Sequence, residues 1–199
     1  MKKPKGVFCL EGDWWNDPRK PSTVEPILEL LAKADGIQIR YVHLNVGNRD
    51  SFNDYLSKWT QKRFQSYPIL YLAFHGNPGE IQVGDSRRPS NTVKLTDLGD
   101  SLAGKCKGRI IFFGSCETVD VHGKLLNSFL KKTGALAVCG YCGSVDWVLS
   151  TAFELIALAS MRENALTISG AKAFRRKILQ KMNTTAKELR FRMVVRANS

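Results

Sequence analysis

Two short apolar runs along the chain end in side chains able to do covalent chemistry. Tyr71-Leu72-Ala73-Phe74 is followed by His75 and Gly76, and Ile111-Phe112-Phe113-Gly114-Ser115 by Cys116, Glu117 and Thr118. A thiolate attacks carbonyl carbon, and an imidazole takes up and returns the proton, so this pair supplies the parts of acyl transfer. Gly76 has no side chain to keep a substrate from its backbone N–H; with the N–H of Cys116 it makes a candidate oxyanion hole. Open parallel sheets bind ligands at the carboxyl ends of their strands, so His75 and Cys116 meet if their strands are neighbours. The stretch after Cys116 reads as a helix, whose free N-terminal N–H groups favour a thiolate.

Spacing alone leaves a second account open. A cysteine that ends a buried strand also serves as an inert small hydrophobe, and a histidine before Gly-Asn-Pro-Gly as a turn residue. His43, inside Tyr41-Val42-His43-Leu44, reads as a core or edge residue, and His122 as a solvated helix residue. Cys139-Gly140-Tyr141-Cys142 has the spacing of a dithiol or half a zinc site. No second such pair exists, however, and this one straddles a strand end, so no metal or cofactor is expected.

The elements that must position this pair alternate. Apolar runs at Gly6–Leu10, Ile37–Leu44, Ile69–Phe74, Arg109–Phe113 and Leu136–Gly140 predict strands, and amphipathic stretches between them predict helices. The first helix opens at Ser22 or Thr23, whose hydroxyl caps free N–H groups, and carries Val24, Ile27, Leu28 and Leu31 on one face before Gly36. Others are predicted from Asp50 to about Phe64, from Thr96 to about Lys105, through Val121, Leu125, Leu126 and Phe129, and from Leu149 to Met161. Residues 77–95 break the alternation and read as a small hairpin. Strands alternating with helices specify an α/β fold with a mostly parallel sheet.

The chain has 199 residues, of which 43% are hydrophobic and 24% charged, which excludes disordered, collagen-like and disulfide-dense classes. A single domain over 1–199 is expected. No apolar run approaches the ~18 residues of a membrane span, and the N-terminal segment lacks the pattern of a secretion signal. Five cysteines are therefore read as reduced, in a cytoplasmic protein. The net charge of +12 gathers at the ends: Lys2, Lys3 and Lys5 at one, and nine Lys/Arg against Glu188 alone in residues 170–199. The body of the chain is close to neutral, so nucleic acid is expected to bind, if at all, only through a basic amphipathic C-terminal helical segment at about 165–199.

With these residues in order, the sequence resembles the caspase-like (clan CD) cysteine peptidases, and among them the bacterial CHAT-type domains. Leu72-Ala73-Phe74-His75-Gly76 and Gly114-Ser115-Cys116-Glu117-Thr118 are similar to that family's two motifs. Gly134-Ala135-Leu136-Ala137-Val138 and Ser144-Val145-Asp146-Trp147 follow in the family's order. The likeness runs over about residues 68–160. It implies a caspase-like three-layer sandwich in which His75 is general base and acid, Cys116 the nucleophile, and Gly76 with Cys116 the oxyanion donors. The caspase signature Gln-Ala-Cys-Arg-Gly is absent, so selection of aspartate is not implied. Relatives selective for a basic residue place an acid two positions before the cysteine, here Gly114, or just after the first strand, here Asp13. The resemblance thus leans to cleavage after Arg or Lys, with Asp13 as the pocket's charge and Asp146 as second choice. Segment 141–147 would line a groove where an extended substrate adds as a strand, with Trp147 as an apolar wall.

Two functions are carried forward. One is a cysteine endopeptidase acting on a protein or peptide substrate. The other is a catalytically silent caspase-like module that binds a regulatory or activating protein.

Overall fold

The computed structural model describes residues 5–197 other than 16, 18 and 21, so Lys2 and Lys3 of the basic N-terminal run lie outside the described residues. Within them, six strands form one sheet: β1 (Val7–Gly12), β2 (Tyr41–Val46), β3 (Ile69–Ala73), β7 (Ile110–Phe113), β8 (Ala137–Tyr141) and β9 (Phe191–Val195). Their order across the sheet is β2-β1-β3-β7-β8-β9, and only β9 runs antiparallel. A second, three-stranded sheet holds β4 (His75–Asn77), β5 (Glu80–Gln82) and β6 (Thr92–Lys94). The helices are α1 (Glu25–Lys33), α2 (Arg49–Thr60), α3 (Leu95–Ser101), α4 (Gly123–Thr133), α5 (Trp147–Met161), α6 (Ile168–Lys181) and α7 (Asn183–Glu188).

Side-chain alternation along the central strands splits the core in two. Val7, Cys9, Tyr71 and Phe112 pack with α1, α5, α6 and α7, while Phe8, Leu10, Leu72 and Phe113 pack with α2, α3 and α4. This is a three-layer α/β sandwich: the alternation of elements predicts its mostly parallel sheet, and the resemblance implies its three layers. α4 ends at Gly134, whose φ of 76° is the left-handed conformation glycine adopts without strain.

Several elements differ from the sequence-based expectation. The second strand begins at Tyr41, not Ile37, because Gly36 and Gln38 both take positive φ and break the extended run. The hydroxyl of Thr23 accepts the Glu25 N–H and donates to Glu11, and Glu11 also takes the Val24 N–H, so the start of α1 is tied to the end of β1. The helix after Cys116 opens only at Gly123, with His122 accepting the Lys124 N–H as its cap, so its N-terminus does not abut the thiol. The basic C-terminal segment is not helical throughout. After α7 it becomes β9, with Phe191, Met193 and Val195 on one face and Val194 on the other, paired with β8.

Among the described residues, no helix is long and apolar enough to cross a membrane.

Candidate active site

The chain leaves β1 toward β2 on one side and returns to β3 on the other, so the loops after β1 and β3 diverge between neighbouring strands. Such a reversal opens a crevice at the strands' carboxyl ends. β3 and β7 pair directly, Leu72 against Phe113, and His75 and Cys116 each follow three residues later. Both line one cavity of about 320 Å³, together with Trp14 after β1 and Val145, Asp146 and Trp147 after β8. A larger groove of about 730 Å³ between α1 and α5 is lined by neither cysteine nor histidine.

His75 is exposed, and its Nε2 lies 2.6 Å from the Trp14 carbonyl oxygen. A carbonyl only accepts, so Nε2 is the donor and Nδ1 is the ring nitrogen left to face other partners. The Trp14 indole stands edge-on to the imidazole at 5.3 Å and edge-on to Trp147 at 4.7 Å, giving the histidine an aromatic wall. No hydrogen bond joins His75 to Cys116 among the described residues, and such contacts are commonly loose before substrate binds.

The Cys116 loop is a tight, internally bonded turn. Ser115 Oγ and Thr118 Oγ1 are 2.7 Å apart, and Thr118 Oγ1 also reaches the carbonyls of Glu80 and Cys116. Glu117, next to the thiol, has φ of 58°, a strained value for a residue with a side chain. The Arg192 guanidinium of β9 donates to the carbonyls of Val119 and Val121 at 2.9 and 2.7 Å and anchors the loop's far end. Among the described residues, the Cys116 N–H donates to no backbone acceptor.

Gly76 presses against this loop. A Cβ there would stand 2.3 Å from Thr118 Oγ1 and 2.5 Å from the Cys116 carbonyl. Gly76→Ala is therefore expected to push the histidine strand away from the cysteine loop, at about 1–3 kcal/mol of overpacking strain. Denaturant unfolding and the rate of Cys116 alkylation by iodoacetamide report the two effects; an unchanged alkylation rate would show that the glycine does not set the loop's position.

The other thiols are poorly placed for reaction. Burial raises the pKa values of Cys9 and Cys139 well above the usual thiol range and lifts Cys106 to about 12. Burial raises that of the half-buried Cys142 too, against the opposing pull of Arg192. Cys139 and Cys142 are both free thiols.

The three candidate substrate residues separate. Asp146 and Trp147 line the cavity with the cysteine and histidine. Asp146 also accepts the Leu149 N–H as the cap of α5. Asp13 accepts the Trp15 N–H at 3.0 Å and lines an adjoining cleft with Glu11 and His43, the two clefts sharing Trp14.

Two buried acids escape the sequence-based reading. Glu154 on α5 reaches the cavity, its carboxylate accepting from Tyr71 at 2.5 Å and Tyr141 at 3.0 Å. Glu11 accepts from Trp14 Nε1 at 2.6 Å, Thr23 Oγ1 at 2.7 Å and the Val24 N–H at 2.8 Å, and meets His43 Nε2 at 2.6 Å. It thereby holds the residue whose carbonyl holds His75. The one sequence signal for Glu154 was a single acid inside an apolar run, and Glu11, at the end of one, carried none.

Burial pushes the Glu11 carboxyl up, but the hydrogen bonds from His43, Thr23, Trp14 and Val24 outweigh it and leave the pKa lowered. Burial pulls His43 down, yet the hydrogen bond and charge of Glu11 and the charge of Glu25 leave it raised. The lowered carboxyl contributes stability above its unfolded pKa of about 4.3, lost as pH falls through the folded value; the raised imidazole contributes below about 6.5, lost as pH rises through its folded value. Both contributions are complete between roughly pH 4.5 and 6.5. Glu11→Ala is expected to cost about 3–5 kcal/mol there, as removal of one member of a buried pair does. Denaturant unfolding of both proteins at about pH 3.5, 5.5 and 9 checks this, since the difference should peak at the middle value; a flat difference would contradict the pairing.

Comparison with known proteins adds the fold's relationship. A family model described as a family of unknown function matches residues 4–195. No curated protein matches the chain. Among solved structures the chain is similar to the crystal structure of caspase-1 from Spodoptera frugiperda, at 12% sequence identity and a TM-score of 0.57. That alignment covers 97% of this chain and 87% of that chain. At such identity the likeness establishes the fold, a caspase-like α/β sandwich.

Proposed function

The chain belongs to DUF6642, a family whose description assigns no activity, and from the site itself we propose that it is a cysteine endopeptidase with a His75–Cys116 dyad. The observation that carries this reading is one crevice, at the sheet's carboxyl end, lined by a half-buried thiol and by an imidazole whose Nε2 is committed to the Trp14 carbonyl. That commitment leaves Nδ1 as the base.

In the first half-reaction His75 Nδ1 takes the thiol proton, Sγ of Cys116 bonds to the scissile carbonyl carbon, and the oxyanion rests against the N–H groups of Gly76 and Cys116. The C–N bond then breaks as the imidazolium returns its proton to the leaving amine. Water, deprotonated by His75, attacks the thioester; the C–S bond breaks, releasing the acid and the thiol. Trp147, with Val145 and Asp146 beside it, forms the wall along which an extended peptide lies, and the residue before the scissile bond is Arg or Lys. The motif order resembles that of bacterial CHAT-type domains, whose dyad this scheme uses.

The test is a denatured proteome incubated with the protein and read for new N-termini. New termini preceded by Arg or Lys, absent with Cys116→Ala, are expected. No new termini under any condition would overturn the peptidase reading and leave a caspase-like module that binds a partner without cleaving it.

A further inference from the structure

A buried carboxylate that neither shapes the dyad nor pairs with a cation lies beneath the cavity. Glu154 is 3% exposed, and its hydrogen-bond partners are the phenols of Tyr71 and Tyr141, both neutral donors. Among the described residues no cationic side chain bonds to it, and burial raises its pKa to about 7. Gly114 is what keeps it open. A Cβ at that position would stand 2.5 Å from Tyr71 Cε2 and 3.1 Å from Glu154 Oε1, over the carboxylate.

The walls above are Trp14, Trp15, Val145 and Trp147, and among the described residues no lysine or arginine lines the cavity. An acidic substrate side chain would meet Glu154 and Asp146, two like charges. A neutral one would leave the buried carboxylate without a countercharge. A guanidinium or ammonium matches both parts of the pocket, its stem and cationic plane against the indoles and its N–H donors on the free lone pairs of Glu154.

We propose that Glu154 is the anionic floor of the pocket that receives the side chain before the scissile bond, and that it selects a cationic group there. This rests on the peptidase reading for its catalytic consequence, but the binding of a cation beside Cys116 stands apart from it. Asp146, capping α5 at the mouth, adds only a surface charge.

The test has two arms. In the first, fluorogenic peptide amides that differ only in the terminal residue (Arg, Lys, Gln, Leu, Asp) are hydrolysed by the native protein and by Glu154→Gln, which keeps side-chain shape and a partner for each phenol. The native protein should favour Arg and Lys over Gln by about 10²-fold or more in kcat/KM, and the variant should bring that ratio to within about tenfold. In the second, benzamidine is added to the native protein while iodoacetamide alkylates Cys116; protection of the thiol is expected, and its loss in Glu154→Gln.

Preference for a neutral or acidic residue, or an unchanged Arg preference in a folded variant, overturns the assignment. If no amide is cleaved at all, the peptidase reading fails, and benzamidine protection alone decides for or against the Glu154 pocket. If the variant does not fold, the native protein's preference and protection decide.

Discussion

Replacing Cys116 by alanine is expected to lower hydrolysis of a susceptible peptide by about 10⁴-fold or more, because the scheme has no other atom to carry the acyl group. The four remaining thiols do not substitute: burial raises the pKa of each, and none of them lines the cavity. The side chain is half-buried and small, so the change should move the thermal midpoint by no more than a few degrees. Steady-state hydrolysis of peptide amides, with thermal unfolding alongside, separates lost chemistry from lost fold. Retained hydrolysis in a folded variant would place the nucleophile elsewhere.

Replacing His75 by alanine should lower kcat by about 10³-fold or more and should cost nothing further when combined with Cys116→Ala, since a base without its nucleophile has no task. The histidine is exposed and its ring contacts are those with Trp14, so the fold should tolerate the change. The expected signature goes beyond lost turnover. Alkylation of Cys116 by iodoacetamide should slow, because the imidazole that takes the thiol proton is gone. A double variant markedly worse than either single one would mean the two residues act independently.

Much of this site was legible because it sits where backbone periodicity speaks. Tyr71 to Phe74 and Ile111 to Phe113 are buried on both faces, so they read as central parallel strands, and their adjacency, which the structure supplies, brings the residues just beyond them to one edge. What was not legible depends on contacts between distant segments. Glu154 meets Tyr71 across 83 residues, and the Trp14 carbonyl meets His75 across 61. A backbone carbonyl leaves no mark in residue types, and a lone acid inside the apolar run of α5 reads as tolerated until a cavity is seen above it. β9 was hidden by its charge: Arg190, Arg192 and Arg196 extend a basic helical pattern, while the alternation of Phe191, Met193 and Val195 is too short to oppose it. Some of that charge is engaged by the fold, with Arg192 fastened to the cysteine loop and Arg190 facing Asp120 at 3.6 Å on the surface.

The helix expected to favour the thiolate is displaced by a six-residue turn, Glu117 to His122, before α4 begins. Its strain at Glu117 and its ties to Glu80, Gly143 and Arg192 fix the loop by other means. On the proposed reading, reactivity at Cys116 rests on His75 and not on a helix N-terminus, which sharpens the dependence of the account on one pair of side chains.

Intact-mass and peptide-mapping analysis after exposure to a mixture of peptidyl chloromethyl ketones with varied terminal residues measures that dependence directly. The account predicts one adduct per chain, on Cys116, with labelling at least about tenfold slower in His75→Ala. Labelling of Cys116 no faster than that of Cys142, or unaffected by loss of the imidazole, would contradict it.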